Sequence, residues 1–80
     1  MKGTLQFSPT SDRWHFVNEE VDYDLHCGEV IEMRIGGRYY VAGIELGREG
    51  WYVILHEDAE QRISFVLMRN RTYATRWLYT

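Results

Sequence analysis

Four side chains carry the donor atoms most used in metal ligation and nucleophilic chemistry: His15, His26, Cys27 and His56. A structural zinc ion takes four nitrogen or sulfur ligands in a tetrahedron, and these four would fill one. Metal binding free energy becomes folding free energy, which suits a chain of only 80 residues. The spacing is not a standard zinc pattern, since no C-x-x-C or H-x-x-x-H pair is present. Asp22, Asp24 or Glu29 could replace one of the four ligands. Against zinc stands a plainer reading, with Cys27 a small buried hydrophobe and the histidines ordinary surface or hydrogen-bonded residues. Cys27 as a nucleophile would need a nearby base or positive dipole. His26 is adjacent, but neighbours in extended chain point apart. The sequence shows no Ser-His-Asp order, phosphate loop or nucleotide fingerprint, so no catalytic residue is assigned and the protein is expected not to be an enzyme.

Charge supplies the second set of candidates. Residues 1–61 hold all twelve acids and five bases, whereas residues 62–80 hold four arginines and no acid. Glu19, Glu20, Asp22, Asp24, Glu29 and Glu32 follow one another without an intervening Lys or Arg. Arg69, Arg71 and Arg76 are interleaved with Tyr73, Trp77 and Tyr79. Arginine, tryptophan and tyrosine dominate interface hot spots, and an acidic loop can steer a protein onto a basic groove. We therefore take Glu19, Glu20, Asp22, Asp24, Arg69, Arg71, Tyr73, Arg76, Trp77 and Tyr79 as candidate partner-binding residues. The plainer alternatives are that the two charged segments face each other or are solvated, and that Trp77 and Tyr79 pack on the sheet with arginines reaching outward.

The elements that must position these groups read as strands. Period-two alternation marks residues 4–7 and 13–17 as a hairpin around the turn formers Ser8 to Asp12. Residues 18–28 are polar and acidic and read as a loop. Residues 29–35 and 38–46 flank Gly36-Gly37, a pair suited to a tight hairpin in which both central residues take positive φ. Residues 51–56 form the next strand, with Trp51, Val53 and Leu55 inward. A turn at Asp58–Gln61, a strand at 63–67 and a short last strand or coil at 73–79 complete the chain. Five or six short strands with tight turns predict one mostly β domain over 1–80: a strongly bent antiparallel sheet, or an SH3-like or OB-like barrel. Residues 69–80 form a basic, aromatic tail that could serve as an interaction segment.

Composition narrows the class further. The chain is 45% hydrophobic and 15% aromatic, which is globular rather than disordered. No apolar run approaches the roughly twenty residues of a membrane span, and no apolar signal stretch follows Met1. A single cysteine excludes an internal disulfide and fits a reducing cytoplasm. Unpaired strand edges leave either a monomer or a homodimer open.

Several blocks occur together in order: Lys2-Gly3-Thr4-Leu5, Leu25-His26-Cys27-Gly28-Glu29, Ile35-Gly36-Gly37-Arg38-Tyr39 and Gly50-Trp51-Tyr52-Val53. This pattern resembles a family of small proteins of phages and mobile elements in Gram-positive bacteria. The block Leu25 to Glu29 is its specific part, and the resemblance spans roughly residues 2–55. The family carries no settled activity; small phage and mobile-element proteins of this size and charge are often inhibitors of host defence, which sets the expectation of a protein that binds and inhibits a host defence protein. The expectation is an anti-CRISPR inhibitor that stops a guide-directed nuclease from loading or binding target DNA in the bacterial cytoplasm. The alternative is a small nucleic-acid-binding barrel that uses the Arg/aromatic C-terminal segment. A formal net charge of -3 weakens that alternative.

Overall fold

A computed structural model describes residues 1–56 and 62–77. The expected turn at Asp58–Gln61 and the candidate Tyr79 lie outside the described residues. Eight strands form one antiparallel sheet: β1 (Lys2–Ser8), β2 (Arg13–Val17), β3 (Asp22–Asp24), β4 (Val30–Ile35), β5 (Arg38–Gly47), β6 (Gly50–His56), β7 (Arg62–Val66) and β8 (Tyr73–Arg76). Their order across the sheet is β3-β2-β1-β8-β4-β5-β6-β7. The bent open sheet is thus the form adopted, with free edges at β3 and β7. It has eight strands where five or six were expected. The expected Gly36-Gly37 hairpin is present, with φ of 60° and 85°. β3 is the addition, inside the acidic segment expected to be a loop. Asp is disfavoured in strands, and three residues are too short to show a period.

One face of the sheet is the core. Leu5, Trp14, Phe16, Ile31, Met33, Ala42, Ile44, Trp51, Val53 and Leu55 are buried on it. Each follows the alternation visible in its strand. Leu46 shares the alternation but is 54% exposed, because it lies at the far tip of β5. Phe7, Trp14, Tyr73 and Phe65 form a chain of tilted and edge-on ring contacts. Such contacts add to simple area burial. Gly3 sits beneath the Phe16 ring, where an added Cβ would fall 2.6 Å from the Val17 carbonyl oxygen and 2.7 Å from Phe16.

Two short crossings coil the sheet. Residues 25–29 run from edge strand β3 to the middle strand β4, and residues 67–72 run from edge strand β7 to the middle strand β8. In a flat sheet β3 and β4 would stand four spacings apart, about 19 Å. The registers add a further offset along the strands. Six virtual bonds from Asp24 to Val30 reach at most about 20 Å, so the edge must curl over the core. The same reasoning holds for Val66 to Tyr73. Diagonal corners accordingly meet: the Trp51 indole Nε1 on β6 donates to the Asp12 carbonyl oxygen at the β1–β2 tip at 3.2 Å.

Leu25 to Glu29, the block most distinctive in sequence, is the first of these crossings. Leu25 is buried and its N–H donates to Trp14 O at 2.9 Å. A tight turn follows, closed by Glu29 N–H to His26 O at 3.1 Å, with Gly28 at φ 89°. Positive φ at this position favours glycine. Gly28 N–H then donates to Ile44 O at 2.8 Å, and Ile44 N–H donates to Glu29 O at 2.9 Å. The block therefore ties the β2 edge to β5.

Candidate functional site

The acidic segment is built as an exposed sheet edge. Asn18 begins it. Its Oδ1 accepts from the N–H groups of Glu20 at 2.8 Å and Val21 at 2.9 Å, and its Nδ2 donates to Lys2 O. This turn holds Glu19 and Glu20 outward, both exposed. β3 then pairs with β2 on one side only. Tyr23 faces inward against Phe16 and Trp77. Alternation sends Asp22 and Asp24 to the outer face, where their side chains are 63% and 52% exposed. Among the described residues, none of Glu19, Glu20, Asp22 and Asp24 has a Lys or Arg ion-pair partner.

His15 stands across from Asp24 in the β2–β3 register. Its Nδ1 lies 2.7 Å from Asp22 Oδ1 and 3.2 Å from Asp24 Oδ1. Its Nε2 lies 2.9 Å from Ser11 Oγ. The order Ser11–His15–Asp22 is that of a nucleophile triad. Ser11, however, is exposed on the hairpin tip. The hollow beside His15 is lined by Gln6, Phe7, Ser8, Val17 and Asp22, and not by Ser11. A triad acts in a site that excludes water and holds donors for the oxyanion; Ser11 occupies no such cleft.

The four residues expected to hold zinc are not gathered. His15 and His56 share the outer face, as the alternation implies, but β2 and β6 are five strand spacings apart, about 24 Å along the sheet. His56 lies over Gly43 on the neighbouring strand. His26 Nδ1 pairs instead with Glu29 Oε1 at 3.1 Å within the tight turn. Cys27 is exposed at the same turn rather than buried. Among the described residues, the one gathering of three or more potential ligands is His15, Asp22 and Asp24. The sequence reading put His15 on the face opposite Trp14, where it lies, and offered Asp22, Asp24 or Glu29 in place of one ligand, but it had no register with which to join His15 to the aspartates.

The arginine-rich segment has a different setting. β8 is paired on both sides, with β1 and with β4. Tyr73 packs in the aromatic chain, and its hydroxyl accepts from Met68 N–H at 2.9 Å. Arg76 donates two bonds to Glu32, Nε to Oε1 at 2.9 Å and Nη2 to Oε2 at 3.1 Å. Its guanidinium also stacks over Tyr39 at 4.2 Å. The Arg76 hydrogen bonds hold the Glu32 carboxyl below the usual carboxylate range, opposed by burial and assisted by the Arg76 charge. The Arg76 pKa is raised in turn, first by the bond to Glu32. Trp77 packs between Phe16 and Tyr23. Arg69 covers the Phe7 ring at 4.6 Å and lies 3.5 Å from Asp12. Arg71 is exposed. Sequence reasoning missed Asn18, Glu32 and Ser11. Only Asn18 had a local signal, as a turn former before the acidic run.

A family model matches residues 3–76, from the half-buried glycine of β1 to the last residue of β8. The chain belongs to the DUF5348 family, a domain of unknown function. No curated protein and no solved structure matches it. The DUF5348 match takes in all eight strands and both crossings. It therefore extends through the arginine-bearing segment that the earlier resemblance, ending near residue 55, left out. Among the described residues, no helix is long and apolar enough to cross a membrane.

Proposed function

We propose that this DUF5348 protein is a non-catalytic binding module that docks its acidic edge onto a basic surface of another macromolecule. The observation that carries the reading is the row of Glu19, Glu20, Asp22 and Asp24, exposed along a free edge and without Lys or Arg ion pairs among the described residues. Like charges held together on a rigid strand repel one another. Their relief by a cationic partner would speed association and fix orientation. Basic surfaces of this kind belong to enzymes that grip nucleic-acid backbones. Together with the resemblance to phage and mobile-element proteins, this favours inhibition of a guide-directed DNA nuclease, with the acidic edge standing where target DNA would lie. Of the arginines that direct nucleic-acid binding would use, Arg76 is engaged by Glu32 and Tyr39 and Arg69 by Phe7 and Asp12, while Arg71 is exposed.

The test is a cleavage assay. A guide-loaded nuclease is titrated with the protein before or after target DNA is added. The expected result is inhibition at near-stoichiometric protein, lost when DNA is already bound and weakened as salt is raised. An absence of inhibition across several such nucleases, combined with salt-sensitive oligonucleotide binding by the protein itself, would overturn the reading.

A further inference from the structure

From the placement of His15, Asp22 and Asp24 we propose that the outer face at the β2–β3 edge is a divalent transition-metal site, with zinc as its best-fitting ion. The proposal does not depend on the identity, or existence, of a protein partner. It also differs from the ligand set read from sequence, in that His26, Cys27 and His56 take no part.

Three observations carry it. The first is geometric. Two carboxylate oxygens converge on one imidazole nitrogen, at 2.7 and 3.2 Å, and all three atoms lie within 4.8 Å of one another. Bonds of about 2.0 Å in a tetrahedron set ligand atoms roughly 3.3 Å apart. The exposed Asp22 side chain has to open by only about 0.6 Å to reach that spacing. The second is donor number. A ring nitrogen carries at most one hydrogen, so two carboxylates compete for it. A divalent cation would serve both and neutralise both charges, which among the described residues no Lys or Arg does. The third lies outside the cluster. The other ring nitrogen, Nε2, faces Ser11 Oγ at 2.9 Å. With a metal on Nδ1, the Nε2–H would donate to Ser11 Oγ, the outer-shell bond that fixes the ligating tautomer. The adjoining hollow of about 110 Å³ has room for the water that completes the shell.

The experiment uses the full chain, freed of metal with chelator. Zinc chloride is titrated calorimetrically, cobalt(II) is followed by its visible absorption, and melting is recorded with and without zinc. One zinc per chain is expected, with a rise in Tm and a tetrahedral cobalt spectrum. Asp24→Asn and the double variant Asp22→Asn/Asp24→Asn should abolish all three signals while keeping the β-sheet circular dichroism of the metal-free protein. Ser11→Ala should weaken zinc binding by about ten-fold or more. Cys27→Ser and His56→Gln should bind as the natural protein does. The proposal would be overturned by an absence of binding by the natural protein at millimolar zinc, or by binding that survives the double aspartate change. Loss of binding in Cys27→Ser would also overturn it, by returning the metal to the cysteine turn.

Discussion

Strands β8 and β3 are both short and both charged, yet among the described residues only β8 has its charge answered by an ion of opposite sign from Lys, Arg, Asp or Glu. β8 lies mid-sheet, paired on both sides, and is the link between the β1–β3 meander and the β4–β7 meander. Its Arg76 is held by Glu32, a residue 44 positions away. β3 is paired on one side, and among the described residues its aspartates meet only a histidine. Position in the sheet, more than composition, separates the two roles. An arginine and aromatic run placed centrally becomes core and cross-strand pairing. An acidic run placed at an edge stays available, and its charge also discourages edge-to-edge pairing with other sheets.

Removing β8 should have the largest effect. Deleting residues 72–80 takes away both ladders that join the meanders, and circular dichroism is expected to show no cooperative unfolding transition. Retention of a cooperative melt would mean the tail is an appendage after all. Next come single core changes. Trp14→Ala removes a fully buried ring that touches Phe7 and Tyr73 and should cost about 3–5 kcal/mol. Gly3→Ala drives a methyl into Phe16 and the Val17 carbonyl and should cost about 1–3 kcal/mol. Both are read by denaturant titration. Thr75, on β8, is 1% exposed, and its hydroxyl has no hydrogen-bond partner among the described residues. Thr75→Val should stabilise by about 1 kcal/mol, a gain that an exposed, partner-facing strand would not give.

The Glu32–Arg76 pair gives a smaller, pH-dependent effect. The folded-state pKa of Glu32 is depressed. Its contribution is therefore complete above the unfolded carboxylate value of 4.5 and is lost as pH falls through the lower folded value. Melting curves from neutral pH down to about pH 3 should show a drop that is reduced in Glu32→Gln. Equal drops in the two proteins would remove this pair from the account. The smallest effect is expected at Cys27. It is exposed at the turn tip, so Cys27→Ser should change stability by less than about 0.5 kcal/mol.

Much of the sheet was legible because its signals are local. The Gly36-Gly37 turn, the alternation of Trp51, Val53 and Leu55, and the outward placement of His15 and His56 depend on neighbours one to four residues apart. What was illegible depends on strand order. Nothing local says that residues 73–76 insert between β1 and β4, so the tail could be read equally as interface or as packing. Nothing local says that Leu25 to Glu29 must cross four strand spacings. In sequence that block therefore reads as chemistry, through His26 and Cys27. In the structure Leu25 and Gly28 carry it, as an anchor and a turn. The His15 cluster was half visible. Asp22 and Asp24 share a face if residues 22–24 are extended, but joining them to His15 needs the β2–β3 register.

The most direct test pairs stability with inhibition in one variant. Glu19→Gln/Glu20→Gln/Asp22→Asn/Asp24→Asn removes the charge of the edge and leaves its shape. Melting is recorded in the presence of chelator, and the same sample enters the nuclease titration. The account predicts a Tm within a few degrees of the natural protein, or above it as repulsion is relieved, together with loss of inhibition. Unfolding of the variant, or full inhibition by a well-folded one, would contradict it.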